Sequence, residues 1–328
     1  MQYLRLVRWK NLLFVAIIQW LMQHSVVYPI LQTFGFEVGT QNVFYLILIV
    51  ATVLITAGGY VINDYFDVKI DRINSPEKVI VGSTISLRAS MLFYQILTGL
   101  GTILGLVLAF WVKSFSLGFI FLLTPGLLWF YSASYKRQFI IGNLIVSLAS
   151  ALSVLIVGVL AVALLKTAYN ADLLNQTPVP MWIYAWTGGF AGFAFLLTWI
   201  REIIKDMEDE EGDREMECRT MPIKWGQKKT KFFLYGLILF SIAALLHVNY
   251  HYIPFEGNTT LKYIIFGLII PLLVLGYLIF KSKNKSEYRQ VQTLTKFIML
   301  VGVLYSLIFY FLMSKTYGIS LFGLFIVQ

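Results

Sequence analysis

Apolar residues run along this chain in long blocks separated by short charged stretches, and nine blocks reach the roughly 20 residues needed to cross a ~30 Å hydrocarbon layer. They cover approximately residues 11–32, 42–63, 88–112, 115–133, 141–165, 181–200, 231–249, 262–280 and 296–314. Runs of this length with almost no internal charge predict helices that span a membrane. The tail from Tyr317 to Gln328 is too short to span and is expected at the interface. The first block follows Arg5, Arg8 and Lys10, as a signal peptide would, but it is long and lacks a small-residue cleavage site. The expected fold class is therefore all-α: a polytopic membrane protein of nine transmembrane helices, in one domain over residues 1–328.

Composition agrees with that reading. The chain is 58% hydrophobic and 13% charged, with mean hydropathy +0.75, against about a quarter charged in soluble domains, so a water-soluble protein is excluded. Small residues let membrane helices approach closely, and Gly101 with Gly105 forms a GxxxG pair expected to pack helices. The single cysteine, Cys218, excludes an internal disulfide or a cysteine metal site. His24 stands far from His247 and His251 in the chain, and two of the three lie toward the outer side, so no histidine metal site is expected.

The net charge of +9 does not point to nucleic acid, because no basic module stands outside the membrane segments. Of 26 Lys and Arg, 22 fall in the N-terminal segment and the even-numbered loops, and only Lys113, Lys166, Lys262 and Lys315 fall on the other side. The positive-inside rule then puts the N-terminus in the cytoplasm and the C-terminus outside.

The acids are more concentrated still. Of 17 Asp and Glu, four lie between Asp64 and Glu77 and nine between Glu202 and Glu217, after the second and sixth spans. That placement suggests two tandem four-helix units plus a ninth helix. Asn63, Asp67 and Asp71 are spaced i, i+4, i+8, which on a continued helix keeps three oxygen ligands within about 80° of one another. Arg201, Lys205, Asp209 and Asp213 form a second stripe, with Asp206 beside it. Carboxylates this close repel unless a cation neutralises them, and hard oxygen ligands favour Mg2+, which phosphate oxygens usually complete. In a membrane pocket, an allylic diphosphate suits both: metal and nearby Lys and Arg stabilise the departing pyrophosphate. Rings such as Tyr65, Phe66, Trp129 and Tyr131 are candidates to stabilise the resulting cation. A transporter would instead carry ionisable residues at the bilayer midplane, whereas these acids lie at the ends of the spans.

These residues resemble the UbiA superfamily of intramembrane prenyltransferases, with nine helices and NDxxDxxxD and DxxxD motifs. Asn63-Asp64-x-x-Asp67-x-x-x-Asp71 fits the first motif and Asp209-x-x-x-Asp213 the second. The continuation Arg72 to Lys78 is similar to the family's Asn-x-Pro-x-Arg-Pro, with Lys78 and Val79 departing from Arg-Pro. Tyr131-Ser132, Lys136-Arg137 and Gly142-Asn143 look like the family's stretch between helices four and five. The resemblance implies Mg2+-dependent transfer from a prenyl diphosphate to a lipophilic acceptor. It implies a catalytic metal set of Asn63, Asp67, Asp71, Asp209 and Asp213, with Asp64 and Asp206 as further candidates. Asn63, Arg72, Tyr131, Lys136, Arg137, Asn143, Arg201 and Lys205 would bind diphosphate or acceptor. The run Lys205 to Asp213, with Thr220-Met221-Pro222 after it, looks most like the geranylgeranylglycerol-phosphate geranylgeranyltransferase branch, which makes an ether-lipid precursor. Quinone-ring and haem prenyltransferases share the same metal motifs. Membrane lipids are expected neighbours, nucleic acid is not, no obligate protein partner is inferred, and the location would be a membrane, the inner or plasma membrane if the source is prokaryotic.

Overall fold

The structure is a computed structural model that describes residues 1–36, 42–74, 76–169 and 171–326. Ser75, in the continuation of the first acidic motif, lies outside the described residues, as does the end of the tail. The chain begins with α1 (Gln2–Leu6), α2 (Trp9–Thr33), α3 (Asn42–Phe66) and α4 (Val68–Asn74). It continues through α5 (Leu87–Trp111), α6 (Phe115–Ala133), α7 (Ile141–Ala168), α8 (Ala171–Asn175) and α9 (Val179–Glu208). Then come α10 (Glu210–Glu215), α11 (Met221–His251), α12 (Thr259–Lys281) and α13 (Lys285–Tyr317). Among the described residues nine helices, α2, α3, α5, α6, α7, α9, α11, α12 and α13, are long and apolar enough to cross a membrane. Each predicted span falls within one of them to within a residue. Phe110, Phe115 and Phe232 are exposed on these helices, as side chains in contact with lipid are.

Two spans change pitch at a proline. Met22–Val27 in α2 and Ile264–Ile269 in α12 are π-helical turns standing just before Pro29 and Pro271. Proline has no N–H and its ring crowds the carbonyl four residues back, so a widened turn accommodates both defects.

Contacts divide the described residues into two compact units, Met1–Lys136 with Ala149–Ala191, and Arg137–Leu148 with Gly192–Gln328. In the first, α3 lies lengthwise against α5. A Cβ on Gly101 would stand 2.9 Å from the Ala51 carbonyl oxygen, and one on Gly105 only 2.2 Å from the Phe121 ring. The GxxxG pair therefore does what its spacing predicts: it removes side chains where a neighbouring backbone and a ring must sit. In the second unit, Ile200, Ile203, Ile204 and Met207 of α9 are buried with Ile238 of α11, Leu275 of α12 and Val291 of α13.

Three helices outrun their apolar blocks. The ends of α9, α11 and α13 carry the chain into polar sequence, and α13 starts on a capping box in which Glu287 N donates to Asn284 Oδ1 at 3.0 Å and Asn284 N donates to Glu287 Oε2 at 3.3 Å. Gly226, with φ 77 and ψ 162, bends α11 near its start. The tail differs more: β1 (Ser320–Leu321) and β2 (Phe325–Ile326) form a small antiparallel hairpin. The Tyr310 hydroxyl holds it, donating to the Ser320 carbonyl and accepting from Phe322 N, both at 3.0 Å.

Candidate active site

Each acidic motif straddles a one-residue break between a long helix and a short one. Asp67 separates α3 from α4, and Asp209 separates α9 from α10. Neither break ends the helical hydrogen bonding. Asp67 N donates to Asn63 O at 3.0 Å and Asp71 N to Asp67 O at 2.8 Å; Asp209 N donates to Lys205 O at 2.9 Å and Asp213 N to Asp209 O at 3.1 Å. The i, i+4 stripes thus survive with their register intact. At Asp209 the backbone sits at φ −96, ψ 6, the sparsely populated bridge region where active-site residues are common.

In the first unit, Asp67 is the centre. Its carboxylate is 4% exposed; Asn63 Nδ2 donates to its Oδ2 at 2.7 Å, and the Lys136 ammonium donates to the same oxygen. Burial of Lys136 disfavours its charge, but the carboxylates of Asp67 and Asp71 outweigh burial and hold its pKa above the ordinary lysine value. Lys136 is therefore cationic at every physiological pH. Asp64 faces elsewhere and pairs at 2.8 Å with Arg8, a residue that spacing alone did not single out. Asp71 is half-buried and Arg72 exposed, both on α4, while Tyr131 is buried at the end of α6. Tyr65, Phe66 and Trp129 form an edge-to-face chain, with ring centroids 5.3 and 5.6 Å apart.

In the second unit, Asn143 Nδ2 donates to Asp206 Oδ2 at 2.9 Å, which brings two of the predicted residues together. Arg201 donates from Nη1 to Glu202 at 2.6 Å, and its buried Nε has no partner among the described residues. Lys205 and Asp209 are half-buried and Asp213 is buried. The loop after α10 is closed by a Schellman motif: Cys218 N donates to Asp213 O at 2.9 Å and Glu217 N to Arg214 O at 3.2 Å, with Glu217 left-handed at φ 56. Arg219 N then donates to the Arg137 carbonyl at 2.8 Å, fixing the backbone at a predicted binding residue. Glu208, bound by Gln292 at 2.6 Å and Arg289 at 3.2 Å, ties the end of α9 to α13. Sequence spacing carried no sign of that link, because its partners lie more than 80 residues away.

The chain belongs to the UbiA prenyltransferase family, whose model matches residues 12–299. It is an integral, multi-pass membrane prenyltransferase. Digeranylgeranylglyceryl phosphate synthase of Methanosphaera stadtmanae is 31% identical over 247 residues, 75% of this chain and 80% of the relative. The protein of that name from Sulfolobus acidocaldarius is 30% identical over 263 residues, 78% and 86% of the two chains. A solved structure from a study of digeranylgeranylglyceryl phosphate synthase in membranes aligns over 94% of this chain and 97% of its own, with TM-score 0.61 and 26% identity. A UbiA homolog from Archaeoglobus fulgidus bound to DMAPP and Mg2+ aligns over 94% and 99%, with TM-score 0.56 and 16% identity, a likeness of fold.

The residues present fit Mg2+. The candidate ligands are oxygen donors only, and the buried Asp67 carboxylate is an anionic seat already held by a cation, the Lys136 ammonium. Among the described residues no three His, Cys, Asp or Glu converge closely enough to hold an ion alone. That suits a metal whose shell is completed by phosphate and water. Removing the ammonium should leave the buried Asp67 carboxylate without its counter-charge, so Lys136→Met should cost about 3 kcal/mol of stability in metal-free protein. Thermal unfolding in detergent without Mg2+ checks this; an unchanged melting temperature would contradict the pairing.

Proposed function

We propose that this protein transfers a geranylgeranyl group from its diphosphate to geranylgeranylglyceryl phosphate, making the digeranylgeranyl ether lipid precursor. The observation that carries the acceptor is the run of relatives named for this product, which this chain matches over about three quarters of its length. In the reaction the bond between the prenyl C1 and the diphosphate oxygen breaks, the acceptor hydroxyl oxygen bonds to C1, and its proton passes to solvent. Bound Mg2+ supplies charge that stabilises the departing diphosphate. Asn63, Asp67, Asp71, Asp209 and Asp213 provide the oxygen ligands, with Asp206 beside Asn143 as a further one. Lys136, permanently cationic, and Arg72 and Arg137 meet the diphosphate. The linked rings of Tyr65, Phe66 and Trp129, with Tyr131, offer π faces to the allylic cation.

The acceptor phosphate falls to Arg201 and Lys205, which stand two turns and one turn before Asp209 on its own stripe. Arg201 supports this reading because its buried Nε lacks a partner among the described residues, and a buried guanidinium N–H is costly until an anion accepts from it. Arg201→Gln and Lys205→Gln should each raise the acceptor's KM about 10-fold or more, the worth of one charge-assisted hydrogen bond. The KM for geranylgeranyl diphosphate should change far less. The decisive assay sets geranylgeranylglyceryl phosphate beside its dephosphorylated alcohol and 4-hydroxybenzoate. Preference for either of the latter refutes a phosphate-reading site and moves the protein to another branch.

We further propose that the N-terminus and both motifs face the cytoplasm and the C-terminus faces outside, on the strength of the 22 to 4 division of basic residues. In a Cys218→Ser background, an impermeant thiol reagent added to intact cells should label Asn258→Cys and spare Ser83→Cys. The reverse pattern would overturn the orientation.

A further inference from the structure

The first acidic motif holds one carboxylate that leaves the ligand stripe. Asp64 follows Asn63 directly, so its side chain leaves the helix about 100° round the axis from it. Its Oδ1 is bound at 2.8 Å by Nη2 of Arg8. Arg8 does not reach that position as part of a regular helix. It stands between α1 and α2 with φ 52 and ψ 52, a left-handed conformation that a non-glycine residue keeps only when its surroundings over-determine it.

Three contacts impose it. Leu6 and Val7, just before Arg8, are buried with Ala57 and Val61 of α3 and with Val81 and Ile85 from the segment after the motif. The Arg8 guanidinium carbon lies 4.9 Å from the centroid of the Tyr60 ring, one turn before Asp64. Asn11, just beyond, donates from Nδ2 to the Tyr60 hydroxyl at 3.3 Å. The N-terminal arm thus grips the chain on both sides of the motif, and Arg8 reaches the motif itself.

We propose that Arg8 is a positioning residue that withholds Asp64 from the metal set and, by doing so, fixes the last turn of α3 so that Asn63 and Asp67 present their oxygens together. The tie matters because the regular helix is interrupted at Asp67, three residues on, although its hydrogen bonds continue, so the side-chain contacts made by Asp64 help set the turn that carries Asn63. With Arg8 gone, Asp64 becomes an unpaired carboxylate on the same turn as the ligands, free to draw the cation out of register. Partners that orient a metal site from behind typically change its affinity 10–100-fold when removed. This inference rests on the proposed reading of Asn63 and Asp67 as ligands of a metal-bound diphosphate.

The test is equilibrium binding of geranylgeranyl diphosphate, without acceptor, as Mg2+ is titrated in detergent, beside thermal unfolding without metal. Arg8→Gln should raise the Mg2+ needed for half-maximal binding about 10-fold, and Arg8→Lys should restore part of the loss. Arg8→Gln combined with Asp64→Asn should be no worse than Arg8→Gln alone, because the pair acts as one unit. Asp64→Asn that abolishes binding while Arg8→Gln binds normally would overturn the proposal and make Asp64 a ligand. A lowered melting temperature with an unchanged Mg2+ midpoint would overturn it too, leaving the arm a purely structural tie. Wild-type protein that binds no diphosphate at any Mg2+ concentration would overturn the functional reading and this one with it.

Discussion

A carboxylate taken out of water must find a cation or give up its charge, and that constraint organises this protein. The spanning helices are almost free of acids in their apolar stretches, and thirteen of seventeen acids collect in two short stretches where two of those helices end. Within those stretches five carboxylates stand in ion pairs: Asp64 with Arg8, Asp67 with Lys136, Glu202 with Arg201, Glu208 with Arg289 and Glu210 with Arg214. Asp67 is the most demanding, being almost fully buried. The amide of Asn63 and the ammonium of Lys136 both donate to its Oδ2.

The same economy explains the two breaks. A straight helix through Asp67 or Asp209 would hold the stripe rigidly along one axis. An interruption at a single residue keeps the i to i−4 hydrogen bonds across Asp67 and across Asp209. The carboxylates on either side keep their spacing, while loop contacts such as Arg219 N to the Arg137 carbonyl hold the surroundings. The proposed ligands thus lie at helix ends, just beyond the apolar stretches of the spans.

Much of this was legible in the sequence, for identifiable reasons. Nine spans were readable because each holds about 20 apolar residues, a length only a membrane demands. The extensions of α9, α11 and α13 were not, since hydropathy falls where charge begins although the backbone goes on coiling. The packing role of Gly101 and Gly105 followed from their spacing, as did the helical register of the two acidic stripes. The breaks at Asp67 and Asp209 were invisible because neither glycine nor proline marks them. Pairings were hardest: Arg8 with Asp64 and Arg289 with Glu208 join residues far apart in the chain, and periodicity carries no information about such partners. The hairpin after α13 was missed because its strands are two residues long and depend on one distant hydroxyl, that of Tyr310.

On the function proposed above, oxygen ligands from both acidic motifs would serve the metal that receives the diphosphate. Replacing Mg2+ by paramagnetic Mn2+ allows direct counting of bound metal by electron paramagnetic resonance, with geranylgeranyl diphosphate present and no turnover. Saturable Mn2+ binding is expected in the wild type and should be lost in Asp67→Asn and equally in Asp213→Asn, with each protein still folded by thermal unfolding. Undiminished Mn2+ binding in either folded variant would contradict it.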